Sequence, residues 1–133
     1  MAYEITGQTL GTLDALNDFS SSSAQFTLVK TTSAADFSQQ VTAGGWVLGV
    51  LQNRPSTGQT GSIMVTGITK VRVHSTAAAV VAGEALTATT SAGVEAVANA
   101  LSSFVIGRAL EASSTTQIIT MLLRPEGGGS TAA

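Results

Sequence analysis

The side chains that could do chemistry in this chain are few and scattered. His74 is the only histidine, and it follows Val71-Arg72-Val73 at the end of a predicted strand, where a histidine usually lies at the surface or in an interface. A metal site needs several ligands, and a Ser/His/Asp system needs a base that is held by a carboxylate. The chain has no cysteine, which excludes disulfides and thiolate metal sites. We therefore expect no catalytic residue, no metal site, no cofactor and no enzymatic activity.

The acidic residues and the glycines form no recognisable motif either. The eight carboxylates are dispersed, so that no close pair in the sequence predicts general acid–base work. Residues 14–18 offer oxygen ligands but lack the glycine and the terminal glutamate of a calcium loop. Gly58 and Gly61 follow a predicted strand, but no Lys-Ser/Thr pair comes after them, so they are turn residues and not a phosphate loop.

Composition limits the classes of protein and of partner. A length of 133 residues suits one domain, and 44% apolar residues with only 5% aromatic ones predict a core of small side chains. Only 11% of residues are charged, against about 25% in average domains. This scarcity favours a surface used for contacts with other molecules, although a Ser/Thr-rich β protein would show it as well.

Charge and hydropathy exclude two kinds of partner. The net charge is −2 and the six basic residues are scattered, whereas binding of nucleic-acid phosphates needs clustered Lys and Arg. No apolar run approaches the ~20 residues of a membrane-spanning helix, and the first residues lack the pattern of a signal peptide. We expect a soluble protein that is made in a cytoplasm and binds neither nucleic acid nor membrane.

The pattern of apolar residues predicts a mainly β fold. Residues 25–30 alternate between apolar and polar, as in a half-buried strand. Residues 47–51 form a nearly continuous apolar run, which is typical of a strand buried on both faces. Gly49 inside that run indicates a bulge or a close approach of another backbone, and Pro55 should end the strand pairing. Residues 76–81 and 94–101 fit helix and strand equally, so their structure stays open.

An internal repeat organises the predicted strands. Residues 24–65 laid on residues 82–123, with a constant shift of 58, give eleven identities, where about four are expected by chance. Both copies contain an apolar strand that begins with an aromatic residue and has a central glycine, namely Gly49 and Gly107. Two such units could close a small barrel or a sandwich, and residues 66–81 would connect them. A coincidence of low-complexity sequence is the alternative.

The two ends of the chain differ from this β domain of residues 24–125. Residues 1–23 are predicted to be an N-terminal arm that ends in four serines, which favour a flexible joint. Leu10, Leu13 and Leu16 have the spacing of helical turns, whereas Tyr3 and Ile5 alternate as in a short strand. An apolar arm can add a strand to a partner, and a frayed terminus is the alternative. Residues 126–133 are glycine-rich and are predicted to be a flexible tail.

The order of these features resembles the capsid cement, or head decoration, proteins of tailed bacteriophages. The likeness covers roughly residues 18–123, and its motifs are strands and turns, not catalytic signatures. The stretches that carry it are QFTLVK at 25–30, VLGVLQNRP at 47–55 with Gly58, MVTGITKV at 64–71, AGEALT at 82–87, VIGRALEA at 105–112 and IITMLL at 118–123. The chain departs from the family in its long connection over residues 31–45 and in its glycine-rich tail.

The resemblance implies a fold, a location and partners. It implies a small barrel-like or sandwich-like (β-tulip-like) subunit with little helix, bound to the outside of the expanded head as a homotrimer at threefold and quasi-threefold positions. There it would bridge subunits of the major capsid protein and stabilise the shell against the pressure of packaged DNA. We expect Tyr3, Ile5 and Leu10 of the arm to contact the capsid. The alternative is a phage surface module that binds carbohydrate or a host surface.

Overall fold

The computed structural model describes residues 5–32, 34–74, 79–96, 104–113 and 118–127, and it consists almost entirely of β-strands. Ser22–Ala24 form a 3-10 turn, and no helix within these ranges is long and apolar enough to cross a membrane. The expected mainly β class is confirmed. The strands are β1 (Ile5–Leu10), β2 (Asp14–Ala15), β3 (Leu28–Thr31), β4 (Asp36–Gln39), β5 (Gly49–Leu51), β6 (Ile63–Arg72), β7 (Ala85–Ala88), β8 (Val94–Ala96), β9 (Val105–Ala109) and β10 (Ile118–Gly127).

The strands form one mixed sheet in the order β2-β4-β3-β5-β6-β10-β9-β7-β8, and β1 is added on β6. The pair β2–β4 is parallel, whereas the other pairs of strands are antiparallel. The sheet is not closed into a barrel, because β2 and β8 lie at opposite ends of this order. The apolar pattern of a strand decides which side chains are buried, but closure depends on pairing between the terminal strands, on which that pattern carries no information.

Strand β6 connects the first half of the sheet, with β2 to β5, to the second half, with β7 to β10. Met64 is the partner of one β5 residue and one β1 residue, while Ile68 is the partner of one β10 residue and one β1 residue. Strands β5 and β10 therefore pair one after the other along the same edge of β6, and β1 covers the opposite edge. Gly67 lies where β10 begins to pair, and its φ of 126° is a conformation that side chains rarely adopt.

The two halves have the same order of pairing. In the first, β4, β3, β5 and β6 are successive neighbours, and in the second β8, β7, β9 and β10 are. Val50 is the partner of Met64, and residues 58 positions later, Arg108 and Leu122, are also partners. The two similar β units therefore share the register of this central pair. The exact limits of the units, the arm and the tail stay predictions.

The core consists of two clusters of small and medium side chains. The larger one spans both halves of the sheet, and the smaller one lies in the first half and includes two aromatic rings, Phe19 and Phe37. These rings are 1% and 0% exposed, and they stack with centroids 5.2 Å apart. Ala15 and Ala24 are buried in the same cluster. The chain from residue 15 to residue 24 is therefore part of the packed body.

The serine run is held in place by two arginines, so the expectation of a flexible joint is wrong. Arg54 donates to the carbonyl of Ser20 through Nε at 2.9 Å and Nη2 at 2.5 Å. Arg72 donates to the carbonyls of Gln25 at 2.9 Å and Ser22 at 2.6 Å. Such charge-assisted hydrogen bonds are stronger than neutral ones. The sequence does not reveal them because each arginine is at least 34 positions from the carbonyl that it binds.

The structure decides several segments that the sequence leaves open. Leu10 is the last residue of β1 and Leu16 directly follows β2 (Asp14–Ala15), so neither lies in a helical turn. Val94–Ala96 form β8, and residues 97–101 lie outside the described residues. Of residues 76–81, the first three lie outside the described residues, and Val80 forms a bridge with Ser113. Pairing with distant strands decides whether such a segment is helix or strand, because its local propensities favour neither.

Candidate functional site

The residues considered for chemistry do not come together as a metal-binding group in the described structure. His74 lies half-buried after β6, and its backbone N–H donates to the carbonyl of Val94 at 2.9 Å. In the ranges that the structure describes, no three His, Cys, Asp or Glu side chains gather in a way that could hold a metal ion.

Strand β1 places the predicted arm contacts along β6. Tyr3 lies outside the described residues, the backbone of Ile5 is the partner of Ile68, and Leu10 is the partner of Ile63. The side chain of Leu10 is half-buried. Two register shifts interrupt the short ladder, so β1 is an irregular addition to the sheet. The contact of Tyr3, Ile5 and Leu10 with a capsid stays a prediction.

Two glycines bring β1 close to β6. A Cβ atom added to Gly67 would lie 2.7 Å from the Cα of Gly7, and one added to Gly7 would overlap the backbone at Thr66. Real Cβ atoms do not approach backbone atoms so closely, so both positions need glycine. The sequence signal for this contact is only a glycine within each strand.

Large apolar side chains are exposed at several places on the described surface. Their exposed fractions lie between 42% and 58%, which is high for residues of this size. They are Leu16, Val41, Trp46, Val81 and Leu110. These side chains offer apolar area to a partner.

The loop that carries Trp46 is fixed by hydrogen bonds. Gln40 is buried and its side-chain amide donates to the carbonyl of Trp46. The backbone of Gly44 bonds both ways with the second half of the sheet: it donates to Ala88 and accepts from Phe104, each at 3.0 Å. Phe104, which corresponds to Trp46 in the repeat, packs against the core instead. Trp46 is therefore a half-exposed aromatic ring on a well-positioned loop.

A cleft of about 330 Å³ opens where the two halves of the sheet meet. The first half contributes Ser23, Thr27 and Gln39, the end of β6 contributes Arg72 and Val73, and the turn between β7 and β8 contributes Ser91 and Gly93. The turn is attached to the first half because Leu28 donates to the carbonyl of Ala92 at 2.8 Å. The sequence does not reveal this cleft, because its lining comes from four segments that are separated in sequence.

A hydrogen-bonded carboxylate, Asp18, lies at the start of the serine run beside the cleft. The Ser20 hydroxyl and the Ser20 backbone N–H, which is 3.0 Å from Oδ1, hold the pKa of the exposed Asp18 carboxyl below its ordinary value. Asp18 is therefore ionised at neutral pH and accepts at the start of the serine run. The Lys70 ammonium lies 5.3 Å from the centroid of the Phe26 ring, within the range of a cation–π contact.

Comparison with known proteins connects this sheet with the virion. A family model described as phage cement protein matches residues 21–125. The fold is similar to the head fiber gp8.5 N base of bacteriophage phi29, with a TM-score of 0.66 and 13% identity over 88% of this chain and 95% of that one. At this identity the likeness shows the fold alone. No curated protein matches the chain. Because the family model covers more than three quarters of its length, the chain belongs to the phage cement protein family, the capsid-associated structural proteins of bacteriophages.

Proposed function

We propose that this protein is a capsid decoration protein that binds the outer surface of the expanded phage head. It bridges neighbouring subunits of the major capsid protein and stabilises the shell against the pressure of the packaged DNA. It acts as a homotrimer at threefold and quasi-threefold positions, without catalysis. The observation that carries the proposal is the match to the phage cement family over residues 21–125. This range contains strands β3 to β9 and most of β10.

The described surface suits such a role. Only 11% of residues are charged, and five large apolar side chains are exposed. Apolar area that is removed from water contributes about 25 cal/mol per Å², so several modest patches can hold a subunit on a shell. When one rigid body makes several contacts at once, each contact raises the effective concentration for the others. We therefore expect binding that depends on the sum of weak contacts.

The N-terminal strand supplies the contact that is most readily tested. In the described structure β1 pairs only with β6, so the outer edge of β1 presents backbone donors and acceptors. Gln8 and Thr9 on this strand are exposed. An exposed strand edge is a template for pairing with another chain. We propose that the arm, with Tyr3, Ile5 and Leu10, lies along the capsid protein in this way.

Removal of residues 2–10 should weaken binding to undecorated heads while the sheet stays folded. The deletion stops before Ala15 and Phe19, because these side chains belong to the core and their loss would unfold the first half. The measurement is cosedimentation of the purified protein with undecorated heads over a range of concentrations, with circular dichroism to check the fold.

A deletion of residues 128–133 is the matched control at the other end of the chain, and we expect it to bind as the full chain does. Unchanged occupancy after removal of residues 2–10 would contradict the role of the arm alone. A full-length chain that does not sediment with undecorated heads would contradict the proposed function itself.

Trp46 favours one further candidate, a phage surface module that binds carbohydrate. Its ring is 49% exposed on a fixed loop, and exposed aromatic rings stack on sugars. Because Trp46 is the only tryptophan, its fluorescence reports on this position alone. Saturable quenching of this fluorescence by surface glycans of the host is the result expected for this candidate. Unchanged fluorescence together with binding to heads would exclude it.

A further inference from the structure

The cleft between the two halves of the sheet has a buried floor and an exposed, polar rim. Thr27 and Gly93 are buried and form its floor, whereas Ser23, Gln39 and Ser91 are exposed at its rim. Arg72 is half-buried beside them and is the only charged residue of the lining. The cleft therefore carries one positive charge, and no described carboxylate lines it.

Arg72 is held so that part of its guanidinium group can bind a further partner. Its Nε donates to Gln25 and one of its terminal nitrogens, Nη2, donates to Ser22. Its other terminal nitrogen, Nη1, forms no hydrogen bond with a described residue. A guanidinium group has five N–H donors and no acceptor. These two bonds fix the plane of the guanidinium group and leave some of its N–H donors unused. Because the group is already ordered, less conformational entropy is lost when a ligand binds to it.

The polar side chains of Gln39 and Ser91 at the rim also have hydrogen-bond donors that are available to a ligand. The side-chain amide of Gln39 has no hydrogen-bond partner among the described residues, and the hydroxyl of Ser91 lies a long 3.4 Å from that of Thr89. An ionised carboxylate is an acceptor only, and it bonds well to a guanidinium group. A neutral sugar would leave the charge of Arg72 unmatched, and the lining has no aromatic ring for stacking.

We propose that this cleft binds a carboxylate group, supplied by an aspartate or glutamate side chain on the surface of the capsid shell. Arg72 supplies the charge, and Gln39 and Ser91 donate hydrogen bonds to the same group. The chemistry of the ligand follows from the cleft alone, while its source on the shell rests on the proposed function. The two parts are separable by experiment.

The chemistry is tested on the isolated full-length protein with sodium acetate as the probe, against sodium chloride at the same ionic strength. We expect saturable changes of the NMR signals of Arg72 Nε–H and the Gln39 amide. The signal of Arg54 is the internal control, because this arginine binds the same serine run outside the cleft. Identical spectra in acetate and chloride would overturn the proposal.

The source of the carboxylate is tested on undecorated heads. Ser91→Asp places a carboxylate in the cleft and leaves Arg72 intact, so it should weaken binding about 10- to 100-fold, the range expected for a lost charged hydrogen bond. Ser91→Asn is the neutral control of the same size, and we expect it to weaken binding much less than Ser91→Asp, because its amide adds no negative charge and can still donate a hydrogen bond. Arg72→Gln should weaken binding as well, whereas Arg54→Gln should not.

The outcomes separate the two parts of the proposal. Acetate binding together with weaker binding of heads by Ser91→Asp supports both parts. Acetate binding with unchanged binding of heads by this variant overturns the source on the shell and identifies a free carboxylate as the ligand. If the wild type binds acetate but no heads, the source and the proposed function both fail, and the chemistry of the cleft stands.

Discussion

Replacement of Gly107 by alanine is expected to lower the free energy of unfolding by about 3 kcal/mol or more, at the upper end of what overpacking costs. An added Cβ would overlap the carbonyl oxygen of Leu122 and would lie 3.2 Å from the Cα of Leu123. Both are backbone atoms of the adjacent strand β10, which no side-chain rotation can move. The new methyl group must therefore separate β9 from β10 or bend one of them.

The same result is expected for Gly49 in the first half, where an added Cβ would overlap the carbonyl oxygen of Met64. Gly11→Ala is the matched control, because a Cβ there has no atom within 4 Å. We expect this control to stay within about 0.5 kcal/mol of the wild type. The measurement is urea unfolding of the three variants. If Gly107→Ala were as stable as Gly11→Ala, then β9 and β10 could move apart without loss of stability, and the prediction would be wrong.

Replacement of Phe19 by alanine should cost about 3–5 kcal/mol, the range for a fully buried phenylalanine. The ring is 1% exposed and stacks on Phe37, so its removal leaves a cavity and ends the stacking. The surrounding strands are fixed by their ladders and cannot close the space. The effect should appear as a lower urea midpoint with an unchanged slope.

Leu16→Ala is the control in the same segment, because this side chain is 47% exposed and its removal creates no cavity. We expect its urea midpoint to stay close to that of the wild type. Equal midpoints for Phe19→Ala and the wild type would contradict the burial of this segment. The result also matters for the proposed function, since it separates the strand of residues 5–10, which we propose contacts the capsid protein, from a segment that the core needs.

Several features follow from particular residues of the sequence. Gly49 within an apolar run predicts a close approach of another backbone, and the structure shows it at Met64. The alternation over residues 25–30 predicts a half-buried strand; its second half is β3 (Leu28–Thr31), whereas Gln25 and Phe26 form a turn and residues 26–29 are all buried. The register shared by Val50–Met64 and Arg108–Leu122 agrees with the shift of 58 that relates the two copies. Each of these inferences needs only the local pattern of side chains.

Other features depend on residues that are distant in sequence. Arg54 and Arg72 are scattered charges in the sequence, yet both bind carbonyls of the serine run. Four serines in a row favour flexibility by composition alone, and only their partners on β6 and after β5 fix them. The sequence predicts an apolar arm that can add a strand to a partner, and the structure shows that its strand β1 pairs with β6, where Gly7 and Gly67 meet.

The sequence predicts that this protein is mainly β and that two similar units build it, and the order of its motifs resembles that of phage cement proteins. These conclusions rest on periodicity, on glycine and proline positions and on the order of motifs, which all act over short distances. Only the tertiary structure decided that the sheet stays open, that β6 serves both halves along one edge, and that Arg72 faces a cleft between them. The physical reason is that alternation specifies which face of a strand is buried, whereas the partner at each edge is chosen by the packing of the whole chain.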